Sequence, residues 1–130
     1  MRPAPTADRG RLPTVIVCRG CCCGTAKVPG VEHEAQLADL SRGLRGIATV
    51  RTAPCLGLCE EANLIVLQPA PAGRAAGGRP VWLGCVREPD TVADVIAWVR
   101  AGGPGQAAVP LGLVHLVVRP PGRTLRMAVR

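Results

Sequence analysis

Apolar positions in this chain come as short runs and two helical stripes. Val15-Ile16-Val17 is a short run that predicts a strand over about 14–17. Leu37, Leu40 and Leu44 then fall at i, i+3 and i+7, one face of a helix predicted over about 31–44. Glu32 and Glu34 suit its first turn, Arg42 and Arg45 its last, and Gly43 and Gly46 supply a stop. Further short runs predict strands at about 47–51, 63–67 and 81–86. The Pro/Ala/Gly/Arg stretch 69–79 reads as a long flexible hairpin connection. A second stripe, Val92, Val95, Ile96 and Val99, predicts a helix that ends at Gly102-Gly103-Pro104. Thr91 and Asp94 are spaced as a capping box, with Asp90 as the alternative N-cap.

The expected fold class is therefore α/β, a mixed four-stranded sheet with two helices. A strand–helix–strand unit makes the first two strands parallel. Residues 1–13 are expected as a disordered leader, 14–103 as the domain, and 104–130 as a basic C-terminal extension. In that extension, 111–119 and 124–129 both look extended around Pro120-Pro121-Gly122, as an edge hairpin or a tail.

With 130 residues, no Phe, no Tyr and two Trp, the core has to be built from Val, Leu, Ile and Ala. The net charge of +7 suggests nucleic acid until it is located. Residues 14–102 hold nine basic and eight acidic side chains, so the excess lies in the two ends. With no stacking aromatics beside it, this charge pattern argues against nucleic acid as a partner. No apolar run reaches the length of a membrane span, and residues 1–5 are not followed by a signal-peptide core. Seven cysteines, an odd number with six of them clustered, and no export signal predict a cytoplasmic protein whose thiols bind metal or do redox work.

Six of the seven cysteines lie in Cys18-Arg19-Gly20-Cys21-Cys22-Cys23 and Cys55-Leu56-Gly57-Leu58-Cys59, separated by thirty-one residues. Each segment follows a predicted strand of the parallel pair, so both emerge at one edge of the sheet, where open α/β sheets place their sites. Soft thiolates gathered from two loops select zinc, copper(I) or iron–sulfur clusters.

The arrangement resembles the thioredoxin-like [2Fe-2S] ferredoxins, which include the small iron–sulfur subunit of respiratory complex I. Cys18-x4-Cys23 and Cys55-x3-Cys59 match that family's ligand spacing, CLGLC resembles its second loop, and Val81-Trp82-Leu83-Gly84 with the following helix is similar to small stand-alone bacterial members. The resemblance covers about residues 14–103. It implies a thioredoxin-like ferredoxin fold, a [2Fe-2S] cluster held by Cys18, Cys23, Cys55 and Cys59, and one-electron transfer to and from redox partner proteins (a reductase or an acceptor enzyme), with a homodimer as one arrangement. It implies a carrier and not an enzyme. Cys21 and Cys22 crowd the first loop, and Cys22 is the alternative to Cys23, because Gly20 and Gly24 would let a neighbouring thiolate swing in.

Two tetrahedral irons need four thiolates, two on each. Arg19, Lys27 and Arg51 flank the loops and would offset the cluster's charge. Histidine ligation of the Rieske kind is disfavoured because neither His33 nor His115 is in a cysteine loop; His33 reads as a solvated helix residue. The alternatives are a zinc-stabilised interaction module, since Cys18-x2-Cys21 and Cys55-x3-Cys59 are passable zinc spacings, and a cluster-based redox sensor. A thiol–disulfide oxidoreductase using Cys18-Arg19-Gly20-Cys21 would leave Cys55 and Cys59 unexplained. Cys85 reads as a buried small hydrophobe, and Trp82 and Trp98 as packing.

Overall fold

The structure, a computed structural model, describes residues 10–20 and 22–120, with Cys59 described by its backbone alone. Strand β1 (Thr14–Cys18) leads into helix α1 (His33–Gly43) and strand β2 (Thr49–Ala53). A 3-10 turn at Cys59–Glu61 precedes β3 (Ile65–Gln68), a short helix α2 (Pro71–Ala75) and β4 (Val81–Leu83). Helix α3 (Pro89–Arg100), helix α4 (Leu111–Val114) and β5 (Val117–Val118) follow.

The chain is α/β, with a mixed sheet in the order β2-β1-β3-β4-β5. Strand β1 pairs parallel with β2, Thr14 opposite Thr49 and Cys18 opposite Ala53. Its other side pairs antiparallel with β3, which pairs antiparallel with β4. The ladder starts one residue before β1, where the Thr49 N–H donates to the Pro13 carbonyl at 2.9 Å.

Strand alternation decides which side carries the core. Val15 and Val17, with Ile65, Leu67 and Leu83, face Leu40 and Leu44 of α1 and Val92, Val95 and Val99 of α3, all fully or almost fully buried. Both long helices thus cover one face of the sheet. Ile16, Val66 and Trp82 share the opposite face, in register across β1, β3 and β4. Cys18 lies on that face by the same alternation, at the end where the cysteine loops begin.

The structure differs from the expected pattern in four places. Helix α3 begins at Pro89 with Glu88 as N-cap and no side-chain cap, so Thr91 lies inside the helix and the capping box does not form; proline's fixed φ suits the first helical position. Strand β4 ends at Leu83, because the next three N–H groups turn away to Leu116, Glu61 and Asn63. The stretch 69–79 contains α2, started by Pro71 and seated where Gly73 and Gly78 lie backbone to backbone against Pro104 and Gly105. A Cβ at Gly78 would stand 2.7 Å from the Gly105 Cα, so only glycine fits that seam.

The fourth difference is the C-terminal segment. Residues 104–118 pack on the domain instead of leaving it. Leu113 is fully buried in the main core. The Trp98 indole N–H donates to the Ala107 carbonyl at 3.0 Å. Strand β5 pairs antiparallel with β4, adding a fifth strand. The extended reading of 111–119 therefore holds for Val117–Val118 alone, and 111–114 is helical. The expected strand at 124–129, and residues 1–9 of the expected leader, lie outside the described residues.

Leu113→Ala is expected to lower the unfolding free energy by about 2–5 kcal/mol, the cost of emptying a fully buried leucine site. The readout is a lower urea midpoint at unchanged slope. A midpoint equal to the parent's would place 104–118 outside the folding unit.

Candidate metal centre

The parallel pairing of β1 and β2 delivers both cysteine loops to one edge, as the strand pattern predicts. Cys18 closes β1 opposite Ala53, and the Arg19 N–H continues the ladder to the Ala53 carbonyl at 2.9 Å. One residue further on, the loops touch through their main chains. A Cβ at Gly20 would stand 2.6 Å from the Cys55 nitrogen. A side chain there would wedge the two loops apart.

Cys18 and Cys23 are buried, 2% and 4% exposed, and their thiols hydrogen-bond each other. Burial pushes the Cys18 thiol from its ordinary 9.0 up to about 11. A hydrogen bond from the Leu56 backbone works against that shift, and Cys23 and Cys55 add to it. Cys55 is thus within electrostatic reach of Cys18 while lying at the exposed side of the site. Its Sγ accepts the Gly57 N–H at 3.4 Å. Cys59 opens the 3-10 turn, its side chain outside the described residues, as is all of Cys21. Among the described residues no three ligating side chains converge on one metal position.

Of the two described neighbours in the first loop, Cys23 is the one turned against Cys18; Cys22 is half-buried at the rim. The loop is held by hydrogen bonds that its glycines do not advertise. The Thr25 hydroxyl donates to the Cys22 carbonyl at 2.7 Å, and the Gly24 N–H donates to Asn63 Oδ1 at 2.9 Å. Asn63 is fully buried, and its Nδ2 donates to His33 Nδ1 at 3.0 Å. The opposite ring nitrogen, Nε2, faces the carbonyls of Thr25 and Val28 at 3.0 and 3.2 Å and carries the proton. His33 is therefore not a solvated helix residue but a half-buried post that ties the first loop to α1. These bonds oppose the exchange of Cys22 for Cys23. The visible signal for Asn63 was a lone polar residue directly before the apolar run Leu64–Leu67; His33 left no signal in spacing.

Of the three flanking cations, Arg19 turns inward. It donates to the Cys18 carbonyl at 2.9 Å, to the His33 carbonyl at 3.2 Å and to Gln36 Oε1 at 3.0 Å. Lys27 and Arg51 are exposed, Arg51 on edge strand β2 opposite Ile16. Cys85 is half-buried past the end of β4, with φ 56, a left-handed backbone unusual for a side-chain-bearing residue. Its thiol donates to Glu61 Oε1 at 3.7 Å. Burial pushes that thiol up, Arg87 pulls against the shift, and Glu61 adds to it. Trp98 is core, and Trp82 packs half-buried beside the thiol cluster of Cys18, Cys23, Val28, Ala62 and Leu64.

Compared with family models, curated proteins and solved structures, the chain finds no match. No helix among the described residues is long and apolar enough to cross a membrane. The donor set has to be judged on its own chemistry. Two buried thiols in contact, a third cysteine in electrostatic reach and a half-buried guanidinium suit a soft, thiolate-bound metal centre.

Asn63→Leu removes the acceptor of the Gly24 N–H and the donor to His33. The expected cost is about 1–3 kcal/mol, the penalty for stranding buried polar partners. Amide exchange at Gly24 should accelerate with it, and unchanged exchange there would detach the first loop from the Asn63–His33 link. In the metal-free chain, Cys18 ionises near 9.0 when unfolded but near 11 when folded. The unfolded state therefore holds fewer protons across that window, so stability is expected to fall as pH rises from 9.0 towards about 11. Urea midpoints measured across this range test the sign, and Cys18→Ala should flatten the slope.

Proposed function

We propose that this chain is a one-electron carrier holding a single [2Fe-2S] cluster on Cys18, Cys23, Cys55 and Cys59, with the thioredoxin-like ferredoxin arrangement. The observation that carries the reading is the buried Cys18–Cys23 thiol pair facing Cys55 across a main-chain seam. Such a cluster supplies one delocalised site that accepts and returns a single electron. The chain's own part is to hold the ligands and set their surroundings. Val28, Ala62 and Leu64 exclude water behind Cys18 and Cys23, with Leu56 and Leu58 packed against them. The Leu56 backbone and the Gly57 N–H hydrogen-bond the sulfurs of Cys18 and Cys55, and such bonds favour the more negative, reduced state. Cys55 lies on the exposed side, which makes its loop the edge where a redox partner exchanges electrons.

Thiol–disulfide exchange is less well supported. A reactive cysteine needs a lowered pKa, whereas burial raises that of Cys18. Helix α1 starts at His33, so no cysteine stands at its N-terminus. On the sheet face away from α1 and α3, a groove of about 500 Å³ has Gln68 and Arg79 as its polar lining, which is no acid–base pair.

Protein purified without oxygen is expected to be red-brown, with about two iron and two sulfide per chain and bands that bleach on reduction. Cys18→Ser, Cys23→Ser, Cys55→Ser and Cys59→Ser should each lose most of that iron, while Cys21→Ser, Cys22→Ser and Cys85→Ser should keep it. A colourless chain carrying zinc would make the zinc module the better reading. Full iron in Cys23→Ser with a loss in Cys22→Ser would move the first-loop ligand.

A further inference from the structure

Arg19 is the half-buried cation of the site, and its surroundings are one-sided. All three of its hydrogen bonds go to neutral acceptors, the carbonyls of Cys18 and His33 and the side-chain oxygen of Gln36. Gln36 is itself buried, and its Nε2 donates to the Val86 carbonyl at 3.0 Å, so the acceptor that aims the guanidinium is fixed from the far side. The Arg19 stem runs over Gly24, where a Cβ would stand 2.9 Å from Nε. Gly24 also has φ +79, which glycine alone adopts without strain. Among the described residues the ion pair formed is Arg42–Asp39 on the outer surface of α1, and no carboxylate meets Arg19. Burial pulls the Arg19 guanidinium below its ordinary range, and among the described residues Cys23 and Cys18 pull the other way.

We infer that Arg19 is the built-in counter-charge of the thiolate centre. A guanidinium taken half out of water without an anion is costly, and hydrogen bonds to carbonyls offset only part of that cost. The balance would be restored when a bound metal displaces the protons of Cys18 and Cys23 into solvent and leaves thiolates beside the guanidinium. Arg19 therefore favours the metal-loaded, anionic form of the site over the metal-free form. It also favours the more negative of two redox states. Lys27 and Arg51, exposed to water, do neither to a comparable degree because solvent screens them.

This inference rests on the thiolate site proposed above, but not on the identity of the metal. It is tested on the full chain in two arms. In the first, metal-free reduced protein is titrated with cobalt(II), followed by its thiolate charge-transfer absorbance. Arg19→Gln is expected to weaken cobalt binding roughly tenfold, the scale of one nearby partly screened charge. Arg19→Lys keeps the charge and should retain most of the affinity, and Arg51→Gln should match the parent within about twofold. In the second arm, chains reconstituted with iron and sulfide are compared by reduction potential. Arg19→Gln should lie below the parent, and Arg19→Lys between them.

Equal cobalt affinity in Arg19→Gln and the parent would overturn the inference. So would an equal loss in Arg19→Gln and Arg19→Lys, since that outcome assigns the residue a hydrogen-bonding role alone. Circular dichroism of each variant shows whether the fold is kept; if Arg19→Gln unfolds, the Arg19→Lys and Arg51→Gln comparison decides, and a Lys variant no better than tenfold weaker than the parent counts against the charge. Cobalt binding without iron–sulfide uptake would sink the cluster reading while leaving the Arg19 comparison intact. A parent chain that takes up neither overturns both.

Discussion

The parallel pairing of β1 with β2 is the constraint on which the rest depends. It sets Cys18 opposite Ala53, and so puts the start of one cysteine loop two residues from the start of the other. The main-chain contact of Gly20 with Cys55 then converts proximity into a fixed seam. Among the described residues neither loop holds a strand or an α-helix past Cys18, and the second ends in the 3-10 turn that Cys59 opens. Each is positioned by the strand behind it, and the strands are positioned by the valines and leucines that bury one face of the sheet under α1 and α3.

A second layer of polar contacts refines that placement. Asn63 and Gln36 are the buried polar side chains of the described residues, and both serve the first loop. Asn63 holds Gly24 and leans on His33; Gln36 holds Arg19 and is anchored on Val86. Buried amides of this kind are costly unless every donor and acceptor is met, and here their bonds converge on the segment that carries Cys22 and Cys23. The loop is thereby ordered by the chain's own bonds.

The region after Gly103 shows how composition misleads. Its glycines, prolines and arginines read as an extension, yet Gly105 is required where two backbones meet at Gly73 and Gly78, and Leu113 fills the core over α3. Small residues served close packing there, not mobility. In a chain without Phe or Tyr, backbone-to-backbone approach, one well-placed leucine and the indole of Trp98 seat this segment.

What the sequence by itself determined was the set of elements with strong internal period. The stripes of α1 and α3, the short runs of β1 to β4 and the position of both cysteine loops at strand ends are all local patterns, because burial of one face repeats along one element. Tertiary structure alone decided that Cys23 and not Cys22 turns against Cys18, that His33 braces the loop, and that Arg19 points inward while Arg51 points out. These choices rest on bonds between distant positions, thirty residues apart for Asn63 and His33 and fifty for Gln36 and Val86. A contact of that span repeats nowhere along the chain, so it leaves no period to read, and its partners come into reach only after the sheet and its helices have closed.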